Sequence, residues 1–191
     1  MARSNKERTE ATRLALIEAA RRLFVKKGYA ETATPDIVAE AGVTRGALYH
    51  HFEDKKALFR ATLEREAEAV ATHIEMVSRP AAAPRQALLA GASAYFDAMA
   101  APGRTRLLLL EAPAVLGFES AAAIDRDNAE GTLKAGLSAL IGKDVDAAGL
   151  QALTDLLSAA FDRAAIAIEA GADRAAYVAA IAGLLDGLVR A

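Results

Sequence analysis

Thr44, Arg45, Gly46, Ala47, Tyr49, His50 and His51 fall within eight consecutive residues. Together they offer a hydroxyl, a guanidinium, a phenol and two imidazoles around two residues too small to obstruct a groove, which is the chemistry needed to read duplex DNA. Arg45, at the first position of a helix, can hold guanine O6 and N7 in a bidentate contact worth about 1–3 kcal/mol of discrimination. It can equally reach a phosphate, and residue type leaves both open. Gly46 and Ala47 let a helix sink into the major groove, where the Ala47 methyl can meet a thymine methyl. Thr34 and Thr44 stand at helix N-termini, where hydroxyl and backbone N–H groups bind phosphate or simply cap the helix. Lys55, with Lys56 beside it, opens a further helix and suits a flanking phosphate. His50 and His51 do not suggest a metal site. Neighbours on a helix point about 100° apart at ~3.6 residues per turn, and the chain has no cysteine to complete a ligand set.

Two short helices joined by a tight turn must position these groups. Thr34, Pro35 and Asp36 suit a first helical turn, as cap, φ-fixed residue and partner of the helix dipole. The spacing predicts a helix to Ala41, a left-handed turn at Gly42, and a second helix capped by Thr44. Ile37, Ala41, Val43, Leu48 and Phe52 then close one small apolar core. The result is a helix-turn-helix, with its polar side chains left on the outer faces of the second helix.

The stretch from Thr34 to Phe59, TPDIVAEAGVTRGALYHHFEDKKALF, resembles the TetR family of bacterial repressors. In that family a capping Ser or Thr, a basic or polar residue, Gly, a small residue and Leu-Tyr-x-His-Phe follow the turn glycine. The resemblance extends upstream through AARRLFVKKGY to Tyr29 and downstream to Asp54, Lys55 and Leu58, roughly the first third of the chain. Val38 stands where the family more often has Ala. The resemblance implies that Tyr49 and His50 meet the DNA backbone or nearby bases and that His51 is directed at phosphate. It also implies a four-helix dimer interface near the C-terminus, and a middle region enclosing a ligand cavity whose occupancy moves the two DNA-reading heads through the fourth helix.

Charge distribution agrees with a DNA reader at one end. Residues 1–60 carry 12 Lys and Arg against 8 Asp and Glu, a net +4, whereas residues 61–191 carry 11 against 17, a net −6; the two sum to the −2 of the whole chain. The basic part holds the helix-turn-helix, and the acidic remainder discourages the body of the protein from lying on DNA. Arg3, Lys6 and Arg8 form a short basic N-terminus that either reaches the DNA or is merely solvated.

The rest of the chain reads as helices and no strand, which makes the expected fold all-α with about nine helices. A first helix runs from Glu7 or Thr9 to Lys27, where Gly28 ends it. A connector helix runs from Asp54 to Ser78, with Pro80 and Pro84 marking a break. Further helices are expected over Pro84–Ala101, Arg104–Glu111, Phe118–Ile141, Asp146–Ala170 and Asp173–Val189. The expected division is a DNA-binding domain over 1–53 and a helical ligand-binding and dimerisation domain over 54–191. In the last two helices Leu150, Leu153, Leu157, Phe161, Ala164 and Ile168 share one face, with Leu156, Ala159 and Ile166 on a second. Tyr177, Ile181, Leu184 and Leu188 share another, opposed by Val178 and Leu185. Two apolar faces need two partners, which points to a homodimer through 146–170 and 173–189.

Tyr95, Phe96, Met99, Leu108, Leu116, Phe118 and Phe161 are candidates to line an effector cavity, with Glu111, Asp125, Asn128 or Arg163 as polar contacts. The sparse charge suggests a hydrophobic small molecule with a cationic or hydroxyl group. No Gly-rich phosphate loop, nucleophile constellation or metal-ligand spacing is present, so neither an enzyme nor a cofactor is expected. No window approaches the ~18 apolar residues of a membrane span and the N-terminus is too polar for a signal peptide, so the expected location is the cytoplasm. These observations lead to a dimeric regulator that binds a palindromic operator in double-stranded DNA and is released by a small molecule. An activator, a co-repressor-dependent regulator, or a DNA-binding dimer without an inducer fits the same motif.

Overall fold

The computed structural model describes residues 5–79, 83–142 and 145–190. Arg3 and Pro80 lie outside them. The described residues form ten α-helices and one π-helical segment: α1 (Asn5–Glu31), α2 (Thr34–Ala41), α3 (Arg45–His51), α4 (Lys55–Ser78), α5 (Pro84–Met99), the π-helical turn Arg106–Glu111, α6 (Ala112–Leu116), α7 (Phe118–Arg126), α8 (Ala129–Ile141), α9 (Ala147–Glu169) and α10 (Arg174–Arg190). The all-α expectation holds.

Local chemistry sets the helix ends of the N-terminal part. Gly42 takes φ 65°, a left-handed conformation that costs glycine nothing, and its N–H turns back to close α2. The Thr44 hydroxyl accepts the Ala47 N–H at 3.2 Å and the Asp54 carboxylate accepts the Ala57 N–H at 2.7 Å, so both caps form as their residue types require. Thr34 departs from expectation. The N-cap of α2 is Ala33, with no side-chain cap, and Thr34 is the first helical residue. Helix α1 runs past Lys27 to Glu31, with a non-helical residue inside it: Gly28 at φ 79° kinks the chain, and the Thr32 hydroxyl donates to the Gly28 carbonyl at 2.7 Å.

Two apolar cores meet along α4. The first gathers Leu16, Ala20 and Phe24 of α1, Ile37 of α2, Leu48 of α3, and Leu58, Phe59, Leu63 and Ala67 of α4. It also takes Leu107, Ala112, Leu116 and Ile124, so the core under the helix-turn-helix draws on residues well beyond position 53. The second core holds Val70 and Ile74 of α4 with Leu88, Tyr95, Phe96, Leu137, Leu157, Phe161, Ile181 and Leu185. A helix of 24 residues is about 36 Å long at a rise of 1.5 Å per residue. Helix α4 is therefore long enough to serve as a rigid member of both cores.

One of the expected helices is divided and another changes type and runs on. Phe118–Ile141 breaks at Asp127 and Asn128, where the Asn128 amide folds back to donate to the Ile124 carbonyl at 2.7 Å and its own backbone leaves the helical region. Downstream of Arg104 the chain widens into π geometry, and the Ala112 N–H reaches back five residues to the Leu107 carbonyl. Pro113 follows, with no N–H to offer the Leu109 carbonyl that an α-helix would have it bond.

Candidate DNA-reading surface and effector cavity

Helix α3 is divided by burial. Leu48 is fully buried and Phe52 nearly so, while Thr44, Arg45, Gly46, Tyr49 and His50 are exposed and Ala47 and His51 are half-buried. The Arg45 guanidinium stands 5.5 Å from the centre of the Tyr49 ring, one turn along, which holds both on the outer face. A methyl added at Gly46 would meet nothing nearer than the Thr44 hydroxyl at 3.9 Å, so the surface there is open to an approaching groove. Seven of the nine residues expected to touch DNA are thus one contiguous surface patch. Thr34 is half-buried at the start of α2, beside rather than within it.

Lys55 has a different immediate role from the one its type suggests. Its ammonium donates to the Tyr29 carbonyl at 2.9 Å and the Thr32 carbonyl at 3.0 Å, and stands 4.1 Å from the centre of the Tyr29 ring. It therefore ties the start of α4 to the turn between α1 and α2. One of its three protons is left for a phosphate.

Around the patch, ion pairs fix α2 on α1: Arg22 with Glu40 at 2.7 Å and Lys27 with Asp36 at 2.8 Å. The Lys27 hydrogen bond and charge hold the Asp36 carboxyl below its usual range. Arg13, which sequence reasoning passed over, lies 5.5 Å from the Phe52 ring centre and adds positive charge beside His51. Partial burial, then His50 and Arg13, push the His51 pKa down. Lys6 and Arg8 are exposed on the first turns of α1.

The C-terminal part contains two adjoining cavities, both partly open to solvent. One, of about 330 Å³, is lined by Ile74, Leu88, Ala92, Leu133 and Phe161 among others. The second, of about 400 Å³, is lined by Leu63, Val70, Met99, Leu108, Leu109 and Ala112 among others. Tyr95, Asp125, Ala129, Glu130 and Ser158 line both. Of the expected lining residues, Tyr95, Met99, Leu108, Asp125 and Phe161 take that place. Leu116 does not line either cavity: it packs into the first core with Leu107 and Ala112. Phe118 lies at the second cavity with 79% of its surface exposed, so it belongs to the rim.

The remaining candidates divide similarly. Phe96 is buried in the second core and Arg163 is exposed. Asn128 caps α7, and Glu111 is committed to α1, where its carboxylate accepts the Tyr29 N–H at 3.0 Å. Asp162, Ser158 and Glu130 were missed. The Tyr95 hydroxyl donates to Asp162 at 2.6 Å and the Ser158 hydroxyl to Asp125 at 2.9 Å. Burial raises both carboxyls above their ordinary range, Asp162 to about 6. The available signal was an acid directly after Phe161, on a helix whose neighbouring turns are mostly Ala, Leu and Ile.

The arrangement invites comparison with known proteins. Residues 16–62 match the family described as bacterial regulatory proteins, tetR family, and residues 85–191 match the tetracyclin repressor-like C-terminal domain. A TetR-family transcriptional regulator from Pectobacterium atrosepticum is 34% identical, with a TM-score of 0.73 over 98% of this chain and 96% of that one. The chain belongs to the TetR family. The HTH-type transcriptional regulator TtgR of Pseudomonas putida is 50% identical over 64 residues, 34% of this chain and 30% of that protein. The match to that curated relative thus spans under a third of its length. FadR from Bacillus subtilis, solved in complex with stearoyl-CoA, shares the fold at 18% identity and a TM-score of 0.72, covering 92% of this chain and 97% of that one. TetR family membership places α2 and α3 as its helix-turn-helix, and no helix among the described residues is long and apolar enough to cross a membrane.

Proposed function

We propose that the chain is a homodimeric transcriptional repressor that binds a two-fold symmetric operator through α3 and is released when a small apolar molecule enters the cavities beside α4. The observation that carries this reading is the division of α3, whose inner residue Leu48 is fully buried while Thr44, Arg45, Gly46, Tyr49 and His50 face outward together. Arg45 reads guanine, Gly46 and Ala47 admit the helix to the groove, and Thr44, Tyr49, His50 and His51 position the protein on the backbone.

Dimerisation is supported by what α9 and α10 leave uncovered. Leu157, Phe161, Ile181 and Leu185 are buried within the chain, whereas Leu156 is 71% and Leu184 53% exposed. The second face of α10 therefore runs through Leu184, not Leu185 as periodicity alone had arranged it. Ala159 of α9 is also exposed, and Gly183 and Gly187 have open space where a side chain would be. Leucines beside small residues on two neighbouring helices suit a close four-helix contact with a second copy.

Release follows from linkage. A dimer reads half-sites about 34–36 Å apart, so a ligand that favours another separation of the heads must weaken operator binding. Helix α4 joins the cavities to the DNA-reading core: Leu63 and Ala67 belong to that core and also line the second cavity, and Ile74 lines the first. The stearoyl-CoA bound by FadR supports the capacity of this fold for a ligand with an apolar body.

Selection of bound sequences from random duplex DNA tests the reading. The expected outcome is a symmetric site; enrichment of no sequence would overturn it.

A further inference from the structure

The region where the two cavities adjoin is acidic: Asp125 and Glu130 line both, and Asp162 lines the second. Asp125 of α7 and Asp162 of α9 are held by hydroxyls alone, those of Ser158 and Tyr95. Among the described residues neither carboxylate forms an ion pair. Glu130 of α8, in the same region, accepts only the neutral Gln151 amide at 2.9 Å. Of the basic groups nearby, Arg79 pairs with Glu75 at 3.4 Å and Lys134 donates to Gln151, while Arg126 borders the second cavity, exposed at the end of α7, and its charge only partly offsets the burial that raises Asp125. The remaining walls are aliphatic and aromatic: Leu88, Leu133 and Phe161 on one side, Leu63, Val70 and Leu108 on the other. Buried carboxylates facing an apolar space without a paired cation are costly, and a ligand that supplies the cation recovers that cost as affinity.

We propose, resting on the effector reading above, that the two cavities together take a lipophilic organic cation: a protonated amine on an apolar body, with its nitrogen between Asp125 and Asp162, on the side of the second cavity that adjoins the first. The ammonium donates N–H bonds to the two carboxylates, and the Tyr95 ring borders both cavities beside it. The apolar body extends along the leucine-lined walls on either side. A fatty acid of the same length would place its carboxylate against three others, and an alcohol would leave the acids without a counter-ion. The site thus selects by charge as well as by shape.

The test compares three probes with one alkyl body, decylammonium, 1-decanol and decanoate, by titration calorimetry on the full chain below their aggregation concentrations. A single charge-assisted hydrogen bond suffices to make decylammonium bind at least about tenfold tighter than either of the others. Asp125→Asn and Asp162→Asn, which keep shape and remove charge, are expected to remove most of that preference while leaving 1-decanol unaffected. The comparison on the unmodified chain stands whether or not either variant folds. Equal or tighter binding of 1-decanol or decanoate, an undiminished preference in both folded variants, or no binding of decylammonium would each overturn the assignment. Decylammonium that binds with the expected dependence on both acids yet leaves operator affinity unchanged would confirm the chemistry of the site and overturn the effector reading instead.

Discussion

The Glu111 carboxylate accepts the backbone N–H of Tyr29 at 3.0 Å, across 82 positions of sequence. Glu111 ends the π-helical turn that contributes Leu108 and Leu109 to the second cavity, and Tyr29 lies in the last turn of α1, just past the Gly28 kink. Gly28 makes room for the contact: with φ at 79° it bends the chain, and a side chain there would begin 3.3 Å from the Glu111 carboxylate. Arg106 of the same turn donates to the carbonyls of Phe24 and Val25 at 2.7 Å. The π-helical turn is thereby tied to the end of α1 by hydrogen bonds.

Glu111→Ala is expected to leave a half-buried N–H unsatisfied and to lower stability by about 1–3 kcal/mol. Its more telling effect is on coupling. Ligand affinity measured without DNA should change little, whereas the factor by which ligand weakens operator binding should shrink. Anisotropy titration of operator with and without ligand checks this; an unchanged factor would remove the π-helical turn from the path.

Lys55→Ala removes two hydrogen bonds that hold α4 to the α1–α2 turn, together with one positive charge near the DNA face. The expected outcome is a lower melting temperature, weaker binding to every duplex alike, and a shallower dependence of affinity on salt. A change in the preferred sequence would show that Lys55 reads bases.

Asp162 carries a stability penalty with a definite sign. Its folded pKa of about 6 exceeds the ordinary carboxyl value of 3.8, because burial, and then the Asp125 charge, outweigh the Tyr95 hydrogen bond. Between those values the folded chain keeps a proton that the unfolded chain has released, so stability falls as pH rises through the window and the deficit persists above it. The shift corresponds to about 3 kcal/mol at most. Melting curves of Asp162→Asn and the unmodified chain should therefore diverge in favour of the variant from pH 4 to pH 7. Comparison with the variant is needed because Glu66 acts in the opposite sense. Burial raises its pKa, but the Arg21 and Arg104 hydrogen bonds and charges bring it below the ordinary value, and the stability it contributes is lost in acid.

Leu156→Glu combined with Leu184→Glu places charge on the uncovered face of α9 and α10 without touching the buried residues beneath. Sedimentation should show a monomer whose helix content is unchanged and whose operator affinity has collapsed. A dimer that survives both changes would put the subunit contact elsewhere.

The helix-turn-helix was legible because its determinants are local. Gly42, Thr44 and Asp54 act within four residues of themselves, and Leu48 and Phe52 stand one helical turn apart, close in sequence to Ile37 with which they pack. The cavity was only partly legible. Apolar type does not distinguish core, cavity and surface, which is why Leu116 lies in the core and Phe118 at the rim. Asp162 and Ser158 become meaningful only when α5, α7 and α9 are brought together, since the Tyr95–Asp162 and Asp125–Ser158 contacts span 67 and 33 positions. The part Lys55 takes in the fold was hidden for the same reason: its partners lie 23 and 26 positions upstream.

Methylation interference on a selected duplex tests the central claim most directly, because guanine N7 lies in the major groove where Arg45 would bind it. The account predicts two symmetric patches of interference about 34–36 Å apart along the helix axis, with the guanine signal abolished in Arg45→Ala. A single patch, or interference confined to adenine N3 in the minor groove, would contradict a dimer that reads its operator through α3.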